Sequence, residues 1–187
     1  MIRVPDVTRY RAPAVFLHWA SALLIFCAFP VGLYMVGLRL SPWKLKLYSY
    51  HKWIGVTVFL LLLARIAWRV SHAPPPLPAS VPAWERHLAG ATHLVLYLLL
   101  LAIPLTGWLF SSAAGFQTVY LGIIPLPDLL PKDKMLADLL RFVHMFLNYS
   151  LAALVALHAA AALKHHFLDR DAVLARMVPG LKPRNPA

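Results

Sequence analysis

A chain of 187 residues is long enough for one domain. Its residues are 60% hydrophobic and 13% charged, whereas soluble domains are about 45–50% apolar and about 25% charged. This composition excludes an ordinary soluble domain and indicates a protein that is solvated by lipid. The formal net charge is +11, but the apolar runs are too long for a soluble nucleic-acid-binding module, so we expect basic residues that anchor helix ends at lipid headgroups.

Four apolar segments are long enough to cross a bilayer, which takes roughly 20 residues of helix. In chain order they run over about 13–36, 51–70, 88–111 and 139–166. The sequence therefore predicts an all-α fold, an integral membrane four-helix bundle in one domain over 1–187. The first run is too long for the apolar part of a cleaved signal peptide and no small-residue cleavage site follows it, so we expect it to remain as a span.

Of the three segments between the spans, 71–81 is rich in proline and is predicted to be an extended linker, and the other two are predicted to be loops. The first covers 37–50, with Ser41-Pro42 as its turn signal. The second covers 113–138 and is the longest, and its end, near 132–140, is predicted to form a short interfacial helix.

Lysine and arginine are distributed unequally between the two sides of the predicted bundle. The side that holds both termini has 11, and the other side has seven. Because basic residues concentrate on the cytoplasmic side, both termini are predicted to be cytoplasmic. The 11 inner residues are Arg3, Arg9, Arg11, Arg65, Arg69, Arg86, Lys164, Arg170, Arg176, Lys182 and Arg184. The seven outer residues are Arg39, Lys44, Lys46, Lys52, Lys132, Lys134 and Arg141.

Five of the nine histidines lie within or at the edges of spans, where ionisable side chains are costly and indicate function. His144 and His158 are 14 residues apart on one predicted helix, so they point to one face and lie about 21 Å apart along its axis. One metal ion cannot bridge that distance, but two cofactors at different depths can. The five histidines are His18, His51, His93, His144 and His158.

Depth along the spans sorts four of these histidines into two pairs. His18 lies near the cytoplasmic start of the first span, at the depth of His158, and His51 begins the second span at the depth of His144. Two neutral imidazoles on facing helices form a bis-axial set for haem iron, which suits electron transfer. The only cysteine, Cys27, gives no Cys-x-x-Cys-His motif, so the haem is expected to be held without a covalent bond.

Other interpretations of the histidines remain. Zinc is less favoured because the chain has no His-x-x-x-His spacing or cysteine cluster. A small transporter with a histidine proton path is a further hypothesis, although the spans hold almost no Asp or Glu. Any one histidine alone could be a hydrogen-bonded packing residue, but four that sort by depth favour haem.

Several histidine motifs recur together in one known family. Over about Tyr10 to Val178 the chain resembles the bacterial cytochrome b561 family, which consists of four-helix proteins with two haems related to the cytochrome b subunits of hydrogenases and formate dehydrogenases. It is most similar to the stand-alone superoxide oxidase members. The motifs are Phe16-Leu17-His18-Trp19, His51-Lys52-Trp53-Ile54-Gly55, His93-Leu94-Val95-Leu96-Tyr97 with Ile103-Pro104-Leu105-Thr106-Gly107, and His144 followed by Leu157-His158 and the run to Phe167.

The resemblance implies two haem b groups. It implies His18 and His158 as axial ligands of an inner haem, and His51 and His144 as axial ligands of an outer haem. His93 matches a family position near the inner haem, where it is expected to contact a propionate or support a ligand, with axial ligation as the less favoured alternative.

The resemblance also implies an activity and a location. Superoxide would be oxidised to oxygen at the periplasmic face of the bacterial inner membrane, and electrons would pass through the haems to ubiquinone. His165 is expected in the quinone neighbourhood, with an interfacial anchor as the alternative. The alternative function is a cytochrome b subunit that anchors a separate dehydrogenase or hydrogenase and carries its electrons, and the short termini favour the stand-alone enzyme.

The outer side has more basic residues than topology requires. Against its seven basic residues stand Asp128, Asp133 and Asp138, which leaves a formal net charge of +4. Such a field attracts an anion such as superoxide. Lys52 directly follows one predicted ligand and Arg141 precedes another by three residues, so these two are predicted to steer superoxide. The alternative is that they only pair with haem propionates and lipid phosphates.

Overall fold

Four long helices carry most of the chain. The computed structural model describes residues 9–78 and 80–182, and Arg3 and Arg184, which count toward the predicted cytoplasmic side, lie outside them. Each helix is long and apolar enough to cross a membrane, so the predicted all-α four-helix fold is confirmed. The helices are α1 (Ala12–Gly37), α2 (Pro42–Ser71), α3 (Ala83–Ala113) and α4 (Lys134–Phe167).

The second helix begins well before the predicted span. Ser41 is the N-cap of α2, and its side chain accepts a hydrogen bond from the backbone N–H of Lys44 at 3.2 Å. The predicted loop over 37–50 was therefore wrong for most of its length. Ser41 and Pro42 act as the cap and first residue of a helix, the positions that serine and proline favour, and the connection to α1 is only 38–41.

The start of α4 follows the same logic. Asp133 is the N-cap, and its carboxylate accepts from the backbone N–H of Leu136 at 3.0 Å. The predicted separate interfacial helix near 132–140 was wrong, because this stretch forms the first turns of α4 with no proline or glycine to interrupt them. At 34 residues α4 is about 51 Å long, so it extends beyond a hydrocarbon core of about 30 Å.

Contacts between histidine rings show how the helices run. His18, near the start of α1, lies beside His158, near the end of α4. His51, near the start of α2, lies beside His144, near the start of α4. We call the end with His18 and His158 the inner end and the end with His51 and His144 the outer end, after the predicted orientation.

An apolar core lies between these two ends. The closest backbone packing joins α1 to α2, α2 to α3 and α3 to α4, and within the described residues α4 makes no comparably close packing with α1 or α2. Leu151 of α4 lies midway in the sequence between the histidines of that helix, so the core separates two histidine groups. The buried core residues are Val58, Leu62, Leu100 and Leu151.

The connection from α3 to α4 holds a small antiparallel hairpin that sequence analysis did not predict. Strand β1 (Val119–Tyr120) pairs with β2 (Ile124–Pro125). Strands of two residues are too short to produce a recognisable alternation of apolar and polar residues. The indole Nε1 of Trp53 in α2 donates to the carbonyl of Val119 at 2.7 Å, which fixes the hairpin against that helix.

After α4 the chain folds back across the inner end. A 3-10 helix spans Leu174–Arg176. The indole Nε1 of Trp19 in α1 donates to the carbonyl of Met177 at 2.8 Å. Arg176 is buried, with its guanidinium 5.9 Å from the centre of the Tyr10 ring. This C-terminal segment is therefore anchored against the start of α1.

Candidate haem-binding site

His51 and His144 face each other at the outer end of the bundle. Their ring centroids are 6.2 Å apart, and their planes meet at 83°. The structure thus brings together two residues that the sequence places at one depth on separate helices.

His51 is seated in a notch on α1. Its Nδ1 lies 3.1 Å from the carbonyl oxygen of Ala28. Four residues further along, Gly32 faces the same ring, and a Cβ added there would lie 3.1 Å from Cε1 of His51. The absence of a side chain at Gly32 is therefore what allows the ring to approach the helix so closely.

An equivalent notch on α3 seats His144. Its Nδ1 lies 3.0 Å from the carbonyl oxygen of Ile103 and 3.3 Å from the hydroxyl of Thr106. Gly107, four residues after Ile103, repeats the role of Gly32, since an added Cβ would lie 3.0 Å from Cε1 of His144. A carbonyl followed four positions later by a glycine thus holds each outer histidine.

Both notches select the same tautomer. A carbonyl oxygen only accepts hydrogen bonds, so Nδ1 of His51 and of His144 carries the proton. The lone pair of each Nε2 is then available to a metal. Metal-bound histidines usually donate their other ring N–H to a carbonyl or carboxylate in this way. The two rings therefore have the hydrogen bonding expected of metal ligands.

The ring separations fit a single metal between two imidazoles. With metal–nitrogen bonds of about 2 Å and a nitrogen about 1 Å from its ring centre, two axial imidazoles have centroids roughly 6 Å apart. The outer pair is separated by 6.2 Å, and His18 and His158 at the inner end are separated by 6.3 Å. The donor set and its spacing fit a haem iron with two histidine ligands at each end.

At the inner end His158 has two histidine neighbours. His18 lies at 6.3 Å with a 77° angle between ring planes, and His93 lies at 5.4 Å with a 71° angle. Only the His18 distance repeats that of the outer pair. His93 also hydrogen-bonds to the backbone of Ala89, and Arg65 interacts electrostatically with all three histidines. The geometry favours His18 as the partner of His158 and His93 as a neighbour of the pair.

An ionic cluster joins α3, the end of α4 and the C-terminal segment. The Nζ of Lys164 lies 2.7 Å from Glu85 and 2.8 Å from Asp169. The Nδ1 of His165 lies 2.7 Å from Asp171, and its Nε2 lies 3.6 Å from Glu85. We call these five residues the inner cluster. Glu85, His165 and Asp169 are close enough together to hold a metal ion. Lys164 already pairs with both carboxylates, so the inner cluster instead links the C-terminal segment to α3 and α4 through ion pairs.

A groove of about 860 Å³ runs beside the inner end, between α1 and the C-terminal segment. Its lining is mostly apolar and includes Phe16, Trp19 and Leu23 on α1 and Met177 opposite them. The Trp19 ring lies edge-on to His18, with centroids 5.2 Å apart. One wall of the groove therefore contacts the inner histidine group.

A smaller pocket of about 360 Å³ lies at the outer end. Three basic side chains line it, Lys132, Lys134 and Arg141, together with Asp138. Lys134 and Arg141 lie 3.7 Å and 3.6 Å from Asp138, and all three of these side chains are more than half exposed. The charged side chains that line the pocket sum to a positive charge.

This pocket sits just beyond the outer histidine pair. Tyr48, Phe110 and Arg141 line it, and each lies three positions, about 4.5 Å along its helix, from a residue of the outer site. Those site residues are His51, Gly107 and His144.

Lys52 does not line the outer pocket. Its Nζ donates to the carbonyl of Phe116 at 2.8 Å, beneath the connection from α3 to α4. Of the two residues predicted to steer superoxide, the structure places Arg141 at the pocket and Lys52 against the hairpin side of α2.

The family model for prokaryotic cytochrome b561 matches residues 9–180, which include all four helices and every histidine of both groups. The chain belongs to the prokaryotic cytochrome b561 family. Cytochromes of this family bind haem b, so this b561 protein is a membrane b-type cytochrome that transfers electrons. Its four apolar helices fit a multi-pass prokaryotic membrane protein.

Curated relatives cover nearly the whole chain. The b561 protein is 39% identical over 172 residues to "Cytochrome b561 homolog 2" of Escherichia coli K12, which covers 91% of each chain. It is 28% identical over 180 residues to "Cytochrome b561 homolog 1" of the same organism, covering 94% of this chain and all of that one. It is 28% identical over 171 residues to "Probable superoxide oxidase CybB" of Yersinia pestis, covering 91% and 96%.

Sequence reasoning missed two parts of this b561 site. It noted Gly32 and Gly107 as small residues but not the carbonyls of Ala28 and Ile103, which leave no signal in the sequence because every residue has a backbone carbonyl. It also missed the inner cluster, although Glu85 is the only glutamate in the chain.

Proposed function

We propose that this cytochrome carries two haem b groups, each with two histidine ligands. His51 and His144 hold the outer haem, and His18 and His158 hold the inner one. The observation that carries the proposal is the repeat of one ring arrangement, 6.2 Å and 6.3 Å apart with nearly perpendicular planes, at the two ends of the bundle. When bound, haem iron accepts and donates single electrons.

We further propose that the outer end takes electrons from superoxide and that the inner end gives them to ubiquinone. Two superoxide anions lose one electron each and become two molecules of oxygen. One ubiquinone takes up those two electrons and two protons and becomes ubiquinol. This assignment is supported by the relative described as a probable superoxide oxidase, by the basic outer pocket and by the apolar inner groove.

The outer pocket supplies the encounter site for superoxide. Lys132, Lys134 and Arg141 line it, and a positive field raises the local concentration of a small anion. Because the pocket lies about one helical turn from the outer histidines, an anion held there is close to the group that accepts its electron.

The inner groove supplies the position for ubiquinone. Its volume lies within the range of about 300–1,000 Å³ typical of small-molecule sites, and its apolar lining suits an isoprenoid chain. Trp19 separates the groove from His18, which brings the groove close to the inner haem position. His165, whose Nδ1 lies 2.7 Å from Asp171, lies at the same end of the bundle.

Kinetics of the purified haem-loaded protein test the reaction. Addition of superoxide with a soluble ubiquinone analogue should give reduced b-type absorption bands and then about one quinol for every two superoxide anions consumed. Haem that is reduced by quinol but not by superoxide would contradict the proposal and favour a subunit that serves a separate dehydrogenase.

Haem quantitation tests the ligand assignment. His144→Ala should remove the outer haem and His158→Ala the inner one, so each variant should hold about one haem per chain. His72→Ala, at the C-cap of α2 and outside both histidine pairs, is the matched control and should retain both. A wild-type protein with about one haem per chain would overturn the assignment.

Filling the groove tests the acceptor site. Ala20→Trp should slow quinone reduction while haem reduction by superoxide keeps its wild-type rate. Leu33→Trp, on the exposed outer half of α1, is the control and should leave both rates unchanged. Equal quinone rates in the two variants would place the acceptor elsewhere.

The same proposal places both termini in the cytoplasm, on the basis of the unequal distribution of lysine and arginine. A phosphatase fused to the C-terminus should be inactive in cells. Periplasmic activity of that fusion would reverse the two ends.

A further inference from the structure

The hairpin between α3 and α4 exposes an unusual amount of apolar surface. Ile123 is 79% exposed, Leu121 is 53% exposed and Ile124 is 53% exposed. We call these three residues the hairpin tip. Tips of soluble hairpins usually carry polar turn residues, because they face water. This tip therefore has the composition of a surface that meets an apolar medium.

The turn at the hairpin tip also carries an apolar residue at a position that usually holds a polar one. Leu121 has a φ of +54° and Gly122 has a φ of +74°, so both lie in the left-handed region. A non-glycine residue in that region brings its Cβ too close to the following carbonyl oxygen, and asparagine or aspartate usually takes the position. Leucine at this position adds backbone strain and exposes an apolar side chain. The choice of leucine is favourable only if its side chain is transferred from water into an apolar medium.

Three contacts place the hairpin along the side of α2 and not above its end. Trp53 Nε1 donates to the carbonyl of Val119 at 2.7 Å. Lys52 Nζ donates to a backbone carbonyl of the same connection at 2.8 Å. The hydroxyls of Tyr120 and Thr57 lie 3.0 Å apart. The hairpin therefore lies at the depth of the residues that immediately follow His51.

That depth lies within the bundle. About 17 Å of α2, from its start at Pro42 to Trp53, extends further outward than the contact with the hairpin. The sequence from 87 to 127 contains no Lys, Arg, Asp or Glu, so no such charge keeps the hairpin in water. Tyr120 and Trp53 lie at its base, as aromatic residues do at the boundary between headgroups and acyl chains.

We propose that the hairpin tip inserts into the outer leaflet of the bilayer and acts as an interfacial anchor beside the outer haem site. Its partner is the acyl-chain region of phospholipids just below the headgroups, where short apolar segments bury their side chains. The proposal rests on the membrane-spanning bundle, takes the identity of the leaflet from the proposed orientation, and is independent of the electron donor and acceptor.

Spin labelling of the haem-loaded protein in vesicles of phosphatidylethanolamine and phosphatidylglycerol tests this insertion. Cys27, the only cysteine, is replaced in Cys27→Ser, and a nitroxide is attached at Ile123→Cys. Lys134→Cys, whose native side chain is 95% exposed at the start of α4, is the aqueous control, and Leu60→Cys on α2 is the lipid control. Retained haem absorption bands verify that each variant is folded.

The label at Ile123 should be several-fold more accessible to oxygen than to a water-soluble nickel complex, as at Leu60, and the label at Lys134 should show the reverse. Access to nickel at Ile123 equal to that at Lys134 would overturn insertion and leave the tip in water. Spectral broadening at Ile123 that disappears when labelled protein is diluted with unlabelled protein would also overturn it, because a second copy of the chain would then cover the tip.

Discussion

At the scale of single residues, backbone carbonyl groups orient both outer histidine rings, and a side-chain hydroxyl also lies near His144. The carbonyls of Ala28 and Ile103 accept from Nδ1, and the glycines four positions later leave room for the rings. Metal affinity in such sites depends on these supporting hydrogen bonds as well as on the ligands. The function of Gly32 and Gly107 is therefore steric clearance at the rings.

The notch on α3 predicts a specific loss of haem. Gly107→Ala should push the His144 ring away, because the added Cβ would lie 3.0 Å from Cε1. We expect haem content to fall by up to one group per chain, with the inner haem retained. Gly90→Ala is the matched control on the same helix, because nothing lies within 4 Å of its Cβ and alanine favours the helix by about 1 kcal/mol. Equal haem content in the two variants, measured by pyridine haemochrome, would argue against the notch.

The two neighbours of His158 predict different outcomes. His18→Ala should abolish the inner haem, because His18 stands at the distance that fits a shared iron. His93→Ala should keep the haem and shift its spectrum or midpoint potential, because His93 lies beside the pair. Redox titration of both variants separates the roles. Loss of haem from His93→Ala with retention in His18→Ala would exchange the two assignments.

Sequence analysis could predict the histidine pairs but not their support. Pairing follows from depth, which the residue number along a helix gives directly. The carbonyls of Ala28 and Ile103 carry no side-chain signal, and their role depends on which helix each ring faces. Such partners become visible only when the helices are placed side by side.

At the scale of elements, hydropathy predicted the four helices because each needs a long apolar run. The start of α2 was misplaced, since a polar, lysine-containing stretch at the outer end continues the helix once Ser41 caps it. The hairpin over 119–125 was missed because its strands are too short to show a pattern. Hydropathy thus identifies what lies in lipid, whereas caps decide where the helices begin.

The inner cluster predicts how firmly the C-terminal segment is held. Glu85→Gln should weaken the ion pair with Lys164 and the approach to His165, and so release the segment that follows Asp169. Trypsin should then cleave after Arg176, which is 7% exposed in the intact fold, several-fold faster than in wild type. Mass spectrometry of timed digests in detergent measures the change.

Asp138→Asn at the outer end is the control for that digestion. Its partners lie at 3.6–3.7 Å on exposed side chains, and such pairs contribute little to stability. The control should digest at the wild-type rate. A similar acceleration of cleavage in both variants would show that general destabilisation, and not loss of the inner cluster, exposes Arg176.

At the scale of the whole molecule, the two ends differ in where their basic side chains lie as well as in how many they have. Three of the seven outer basic side chains line one pocket, whereas many of the inner ones lie on connections and termini. Attraction across several ångströms requires weak screening, and the Debye length falls from ~30 Å at 0.01 M salt to ~8 Å at 0.15 M. The outer end should therefore respond to ionic strength.

Salt dependence of haem reduction by superoxide measures that response. The rate should fall as salt rises, and Lys132→Gln, Lys134→Gln and Arg141→Gln combined should lower the low-salt rate by up to about tenfold and flatten its salt dependence. Lys52→Gln is the comparison and should have a smaller effect, because Nζ of Lys52 is directed to a carbonyl outside the pocket. A rate indifferent to salt and to these changes would contradict steering.

The long fourth helix has a consequence for how the two proposed haem positions are spaced. Helix α4 runs without proline or glycine from Lys134 to Phe167 and carries one histidine of each pair. The distance between His144 and His158 along the helix is therefore set by the number of residues between them. One residue inserted at Leu151 would turn His158 by about 100° out of register, and seven would restore the face but lengthen the interval by about 10.5 Å. Substitutions can change the surroundings of either histidine, but only an insertion or deletion can change the distance between His144 and His158 along α4.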